Sequence, residues 1–281
     1  MQQDTGKKLH VIACITNNYF DIYRDLFEKT LPPEFGSVIL YHSRNSNSMP
    51  GEVATSSFKK INFDKLHFIR SQMNAFKGDN LLVLDLDIVF FRKFKNIILD
   101  LLKSNDMVFQ FDTSDNHLAN VGVWAMQCSD KNMDFFDKEI LPRSYALLLS
   151  KDEYNSANAG REVDIDKDWA LAWSPSSPRT AKILSSHGKE NYNCISGAYL
   201  PFDGDQCIVN ASLLQPYHGH DLDIFLLDKA TFSQSRQSTG KSTVLYHAVG
   251  SKGKEKYLHM KESLKEVADE VVDSSNWGGE Y

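Results

Sequence analysis

Residues 81–91 read LLVLDLDIVFF, an apolar run interrupted only by Asp85 and Asp87. The run falls well short of the roughly 20 apolar residues that span a bilayer, and its length and composition predict a strand buried on both faces. Two acids spaced two apart project from the same face of a regular strand. Because buried carboxylates are costly and repel each other, the pair favours a bound cation, and hard oxygen ligands suit Mg²⁺ or Mn²⁺. The alternative is a strand end that exposes its acids to solvent.

The segments before this run predict an α/β fold. Residues 10–16 (HVIACIT) and 37–43 (SVILYHS) indicate two strands, and the helical spacing between them stops at Pro32 and Pro33. Such a β-α-β opening favours a Rossmann-like, mostly parallel sheet flanked by helices, whose ligands bind at the carboxyl ends of the strands. A further helix, ending at Gly78, carries one apolar stripe: Phe63, Leu66, Ile69, Met73 and Phe76.

The rest of the chain predicts further strands and helices within one domain, residues 1–281. Strands are expected at residues 107–112 and 121–127, and helices at residues 93–105 and 254–272. The last helix presents an apolar face made of Leu264, Val267 and Val271. We expect a nucleotide-binding half, an acceptor and catalytic half, and a flexible tail, at about residues 9–110, 111–260 and 274–281 respectively.

Composition bounds the classes of partner. The chain has 281 residues, 42% of them hydrophobic, which is ample for a continuous core. A formal charge of -6 offers no global attraction for nucleic acid or an anionic membrane. Since no stretch is apolar enough for a signal peptide or a membrane span, we expect a soluble, cytoplasmic protein. The cysteines are widely separated, without a CxxC pair, and are expected to be buried free thiols.

A second signal lies near the C-terminus, where His247 precedes Gly250 and two lysines, Lys252 and Lys254. A histidine can complete a mixed Asp/His metal site, while glycine backbone N–H groups and lysine side chains suit phosphate. The alternative is an ordinary solvated turn.

A third signal is the segment DGDQCIVNASL, which groups Asp203, Asp205, Gln206 and Asn210. Carboxylate and amide groups here could hydrogen-bond sugar hydroxyls or a leaving phosphate, or stabilise an oxocarbenium-like centre. The alternative is capping, because an acid before an apolar run commonly begins a helix.

The order of these signals resembles the nucleotide-diphospho-sugar transferases of GT-A fold, in the branch that includes glycogenin-like and plant cell-wall sugar transferases. The resemblance covers residues 9–260 as scattered motifs. They are an N-terminal β-α-β unit, DLD (85–87), ANVGVWAM (119–126), DQCIVN (205–210) and HAVGSKGK (247–254). It implies a metal-dependent enzyme that moves a sugar from a UDP- or GDP-linked donor to a hydroxyl of a carbohydrate or glycoprotein acceptor.

The resemblance also implies roles for individual residues. Asp87 matches a metal ligand, Asp85 a ligand of the metal or the donor ribose, and His247 the third protein ligand of the metal. The lysine of such families that contacts the diphosphate falls here on Gly253, so Lys252 and Lys254 both remain candidates. The other residues expected to contact the donor are Thr16 and Asn17 at the base, Arg70, Asn120 near the donor sugar, and Gly250 of the HxxG segment.

Asp205 and Gln206 match the acid–amide pair at the reacting centre and are the expected catalytic residues. The resemblance favours retention of the anomeric configuration. Inversion would instead require a base. The candidates are Asp205 and the aspartates at every second position of residues 164–168: Asp164, Asp166 and Asp168.

Two other functions fit parts of the sequence. VLDLDIV also resembles the first motif of haloacid-dehalogenase-like phosphatases, with Asp85 as nucleophile, Asp87 as general acid, and Asp203 or Asp205 on Mg²⁺. Those enzymes normally begin with this strand and carry glycine where Ile88 stands here, whereas a β-α-β unit precedes it in this chain. The third possibility is a nucleotide-sugar-binding protein without turnover.

Overall fold

A computed structural model describes residues 6–43, 56–112, 119–148, 204–214, 218, 220–234, 242–249 and 253–272. The strands in chain order are β1 (Leu9–Thr16), β2 (Val38–Ser43), β3 (Asn80–Leu84), β4 (Ile88–Phe90), β5 (Met107–Phe111), β6 (Ala119–Gln127), β7 (Ile224–Leu227), β8 (Phe232–Ser233) and β9 (Leu245–His247). The longer helices are α1 (Ser56–Ala75), α2 (Lys95–Leu101), α3 (Asp130–Phe135), α4 (Asp205–Leu214) and α5 (Gly253–Val272).

Six strands form the central sheet, in the order β2-β1-β3-β6-β5-β7. The pairs β1–β2, β1–β3 and β5–β7 are parallel, whereas β6 runs antiparallel to both of its neighbours. The predicted mostly parallel α/β sheet is therefore confirmed, with one reversed strand. The reversal matters for the site, because it brings the first half of β6 beside the carboxyl end of β3.

The N-terminal β-α-β unit is also confirmed. Between β1 and β2 the chain forms a series of helical turns, Asn17–Tyr19, Phe20–Ile22, Tyr23–Phe27 and Glu28–Thr30. The five-residue turn Tyr23–Phe27 is a π-helix, so this segment is less regular than its apolar spacing predicts.

Helices cover both faces of the sheet. Because side chains alternate along a strand, Leu81 and Val83 of β3 pack in one core cluster with α1, whereas Leu82 and Leu84 pack in another with Phe27 and α2. The predicted stripe of α1 is buried at its centre, at Leu66, Ile69 and Met73, and half-buried at its ends. Beyond α1, Gly78 takes φ 96°, a left-handed conformation that suits glycine.

Residues 81–91 are not one strand, so the prediction of a single regular strand is wrong. The N–H of Asp85 donates to Gly122 of β6, but the carbonyl of Asp87 accepts from Ala248 beyond β9. The chain therefore leaves the central sheet at Asp85 and enters a second, three-stranded sheet ordered β4-β9-β8. Strands β3 and β4 are both fully buried, which explains why their sequence reads as one apolar run.

Two further observations concern the described parts of the chain. None of their helices has the length and apolar content needed to traverse a bilayer. Cys128 and Cys207 are buried free thiols, as expected, whereas the free thiol Cys14 is half-buried, and Cys194 lies outside the described residues.

Candidate functional site

Two acids and a histidine meet where the chain passes between the two sheets. Asp85 and Asp87 follow β3, and His247 ends β9, which pairs with β4 through Ile88. The Nε2 of His247 lies 3.3 Å from Asp87 Oδ1 and 3.9 Å from Asp85 Oδ2. One candidate ligand atom from each of the three side chains lies within 4.8 Å of the other two. His247 and Asp87 are buried, whereas the Asp85 side chain is 36% exposed, so the cluster opens to solvent on the Asp85 side.

The hydrogen bonds of Gln110 determine which nitrogen of His247 carries a hydrogen. Gln110 is fully buried on β5, and its Nε2 donates to the carbonyl of Phe232 at 3.1 Å. Its Oε1 therefore faces His247 Nδ1, at 2.9 Å, and accepts from it. In the neutral ring, Nε2 then carries the lone pair that faces both carboxylates. Three acceptors repel one another unless a cation lies among them, so this donor set fits a divalent metal.

Two buried lysines hold the other carboxylate oxygens. Lys65 of α1 places its Nζ 2.7 Å from Asp85 Oδ1 and 2.8 Å from Asp205 Oδ2. Lys256 of α5 donates a hydrogen bond to Asp87 Oδ2. Each metal-site acid thus has one oxygen bound to a lysine and one that faces His247. The lysines fix the orientation of both carboxylates.

The charges in this cluster reinforce one another. Burial opposes ionisation of Asp87, but the charge of the neighbouring Lys256 outweighs it and holds the pKa of Asp87 well below its usual value. Burial likewise disfavours the ammonium of Lys65, yet Asp205 and Asp85 hold its pKa above the usual lysine value. For Lys256, the charge of Asp87 overcomes burial and raises the pKa. Asp87 and the two lysines are therefore charged at neutral pH.

Gly122 gives His247 the space that it occupies. A Cβ at residue 122 would lie 2.1 Å from Cε1 of His247 and 2.8 Å from its Nε2, far inside contact distance. Asn120, which is buried two residues earlier, accepts a hydrogen bond from the Gly122 N–H at 2.8 Å. We predict that Asn120 contacts the donor sugar, and its Oδ1 lies, like the His247 ring, within 3 Å of the position that a Cβ of residue 122 would take.

We expect Gly122→Ala to weaken Mn²⁺ binding by at least about tenfold, because the new methyl group must displace the His247 ring, and misplaced ligands cost about that much. Electron paramagnetic resonance of free Mn²⁺ measures the affinity. Gly204→Ala is the matched control, since a Cβ there meets nothing closer than 3.6 Å. Equal Mn²⁺ affinity in Gly122→Ala and the unmodified chain would show that His247 is not a ligand.

Helix α4 brings the predicted acid–amide pair to β6. Asn210 accepts from the N–H of Ala119 at 2.9 Å and donates to its carbonyl at 2.7 Å, which pins the helix to the strand. At the start of α4, Asp205 Oδ1 accepts from the N–H of Gln206, and Oδ2 faces Lys65. Asp205 therefore begins helix α4 and also belongs to the charged cluster. Gln206 donates to the buried Asp112.

The other predicted site residues lie in different places. Thr16 ends β1 and Asn17 follows it, at the same sheet edge as Asp85, and Asn17 Oδ1 lies 2.8 Å from His42 Nε2. Arg70 lies five residues beyond Lys65 on α1, and donates twice to Asp137, each at 2.7 Å. Lys254 is exposed at the start of α5. The remaining candidates lie outside the described residues: Gly250, Lys252, Asp203, Asp164, Asp166 and Asp168.

The sequence reasoning did not identify Lys65 or Gln110, and it gave Lys256 no separate role. A signal existed for each. Lys65 immediately precedes the apolar stripe residue Leu66, and Lys256 lies one helical turn before the buried Met260. Gln110 is a polar residue within an otherwise apolar strand, where a buried amide needs partners.

The sequence matches no protein-family model and no curated protein. Solved structures do match. A glycosyltransferase involved in the glycosylation of the major capsid of PBCV-1 has 13% identity and a TM-score of 0.45, over 91% of this chain and 99% of that one. The glycosyltransferase GlyE of Streptococcus pneumoniae TIGR4 has 13% identity and a TM-score of 0.43, over 96% of this chain and 64% of that one.

A third match is the galactosyltransferase LgtC in complex with donor and acceptor sugar analogs, with 9% identity and a TM-score of 0.40 over 95% of this chain and 98% of that one. These structures are glycosyltransferases, the class that the ordered motifs resemble. At such identities and TM-scores they assign no substrate or residue role to this chain.

Proposed function

We propose that the chain is a glycosyltransferase that moves a sugar from a UDP- or GDP-linked donor to a hydroxyl of a carbohydrate or glycoprotein acceptor. The observation that carries the proposal is the convergence of Asp85, Asp87 and His247, flanked by two buried lysines. This cluster lies at the carboxyl edge of parallel strands, where α/β sheets bind ligands. Its acids suit a divalent cation that can bind a diphosphate, and its buried lysines hold those acids in position, which together describe a site for a metal-bound diphosphate.

The exposure of the cluster residues indicates how the donor would bind. Asp85, Asp87 and His247 would hold Mn²⁺ or Mg²⁺, which supplies positive charge to a departing nucleoside diphosphate. Asp85 is the exposed member, so it is also the acid available to a ribose hydroxyl. Thr16 and Asn17, at the carboxyl end of the adjacent parallel strand, are our candidates for contact with the base.

Asp205 is our candidate for the acid at the reacting centre. Its carboxylate is buried, and Lys65 links it to Asp85, so it stays fixed relative to the metal ligands. A fixed negative charge here would stabilise an oxocarbenium-like sugar as the bond to the diphosphate breaks. Gln206 is held by Asp112 and lies beside the N–H of Val121, so its amide is oriented before substrate arrives. We propose retention of configuration, which the anomeric proton of the product reports by NMR.

The phosphatase alternative fits the site less well. It requires Asp87 to donate a proton to the leaving group. Lys256 contacts the Asp87 carboxylate and its charge keeps the pKa of Asp87 low, so at neutral pH Asp87 has no proton to give. A purely binding role does not account for the buried carboxylate of Asp205 or the oriented amide of Gln206.

The decisive experiment incubates the protein with Mn²⁺ and a panel of UDP- and GDP-sugars, with and without glycan acceptors. We expect metal-dependent release of one nucleoside diphosphate, suppressed by EDTA and accelerated by an acceptor. Trapping of phosphate on Asp85 from a phosphate ester would contradict the proposal. Tight nucleotide-sugar binding without release over long incubation would support the binding protein instead.

We expect Asp205→Asn to lower turnover of that donor by about 100-fold, the usual cost of losing one electrostatic contact to the transition state. Donor affinity should stay within a few-fold, because Asp205 is not among the metal ligands. Steady-state kinetics and calorimetric titration with the donor separate the two effects. A fall in donor affinity equal to the fall in turnover would assign Asp205 to donor binding rather than to the reacting centre.

A further inference from the structure

Lys256 is a buried ammonium group in direct contact with the most buried acid of the candidate metal site. We propose that Lys256 opposes binding of a free divalent cation, so that the site takes its cation together with a diphosphate. This inference rests on the proposed function of the site. It states that binding of the metal and binding of the donor depend on each other, and it assigns that coupling to the side chain of Lys256.

The position of Lys256 is fixed by the helix that carries it. On α5, a buried stripe runs through Lys256, Met260, Ser263 and Val267 at spacings of three and four residues. The Lys256 side chain is 6% exposed and donates to Asp87 Oδ2. Since the lysine stem lies within this packed stripe, the ammonium group cannot move into solvent without exposing it. A cation that reaches Asp87 therefore meets a positive charge already in place.

The formal charges show why a diphosphate changes the outcome. Asp85, Asp87 and Asp205 carry three negative charges, and Lys65 and Lys256 carry two positive ones, which leaves -1 with a neutral histidine. A divalent cation alone brings the cluster to +1, in surroundings where like charges repel strongly. The two negative charges of the diphosphate in a nucleotide sugar return the net charge of the cluster to -1. Each ligand should therefore strengthen the binding of the other by the same factor.

A purely structural role for Lys256 makes the opposite prediction. If the lysine only holds the Asp87 carboxylate in position, its removal should loosen that ligand and weaken cation binding. If its charge dominates, removal should strengthen cation binding, because the cluster then starts at -2. The sign of the change in affinity distinguishes the two roles.

The test measures Mn²⁺ affinity by electron paramagnetic resonance, first with Mn²⁺ alone and then with UDP or GDP. We expect the unmodified chain to bind Mn²⁺ weakly, and at least about tenfold more tightly with one of the nucleotides. Lys256→Met should bind Mn²⁺ alone at least about tenfold more tightly than the unmodified chain, with less added by the nucleotide. Lys256→Arg keeps the charge and should behave like the unmodified chain.

Lys265→Met is the matched control, because it removes an exposed lysine from the same helix, and its Mn²⁺ affinity should not change. Lys256→Gln removes the charge but keeps a donor for Asp87, so it supplies the same test if the methionine variant does not fold. Unchanged or weaker Mn²⁺ binding by a folded, charge-free variant would overturn the inference. Failure of every variant to bind either nucleotide with Mn²⁺ present would instead count against the proposed function, and the affinity for Mn²⁺ alone would still decide the role of Lys256.

Discussion

Asp87→Asn is expected to abolish Mn²⁺-dependent sugar transfer, with a loss of about a thousandfold or more. Asp87 directs one oxygen towards His247 and gives the other to Lys256, so it joins the metal site to the buried lysine. A metal supplies several kcal/mol of charge stabilisation in a transition state, and each 1.4 kcal/mol is about tenfold in rate. Release of nucleoside diphosphate from the donor measures the activity, and Mn²⁺ titration should show the parallel loss of binding.

The same substitution removes the partner of a buried ammonium group, so its effect on folding must be measured separately. Breaking a buried ion pair costs about 3–5 kcal/mol, and Asp87→Asn should lower the free energy of unfolding in EDTA accordingly. The double variant Asp87→Asn, Lys256→Met removes both charges and should recover much of that stability without recovering activity. Asp21→Asn, at an exposed acid, should change neither quantity. A double variant that regains both stability and transfer would show that Asp87 does not hold the metal.

The elements of the fold were predictable because they depend on local pattern. Short apolar runs located the two strands of the β-α-β unit, and helical apolar spacing located the buried centre of α1. The break between β3 and β4 was not predictable from spacing. It is fixed by hydrogen bonds from Asp85 to Gly122 and from Ala248 to Asp87, which join residues far apart in sequence. Because the residues on both sides of the break are apolar and buried, the break is not visible in the sequence.

The candidate site was predictable in part for a similar reason. Two acids within an apolar run require compensation wherever they lie, so Asp85 and Asp87 were recognisable as a candidate cation site, and the ordered motifs added His247 to it. The compensating lysines were not visible, because a lysine is ordinarily exposed and only its distant partners make burial favourable. The prediction chose Arg70 on α1, whereas the structure gives the central ion pairs to Lys65 and pairs Arg70 with Asp137.

Lys65→Met is expected to lower the free energy of unfolding by about 3–5 kcal/mol in EDTA, because it leaves the carboxylates of Asp85 and Asp205 without their shared cation. Asp85 can turn to water, since a third of its side chain is exposed, but Asp205 is buried. Most of the cost should therefore come from Asp205. Urea unfolding measures it, provided that the slope with denaturant stays constant.

A double-mutant cycle locates this energy in one contact. Adding Asp205→Asn to Lys65→Met removes the unpaired charge, so the pair of substitutions should cost less than the sum of the two single changes, by about 2 kcal/mol. Lys77→Met with Asp130→Asn is the matched control, because that pair has the same residue types at 2.6 Å but is exposed, and it should show no measurable coupling. Simple additivity at Lys65 and Asp205 would mean that the ion pair does not hold the candidate catalytic acid in place, and that the packing of α4 on β6 positions Asp205 without help from α1.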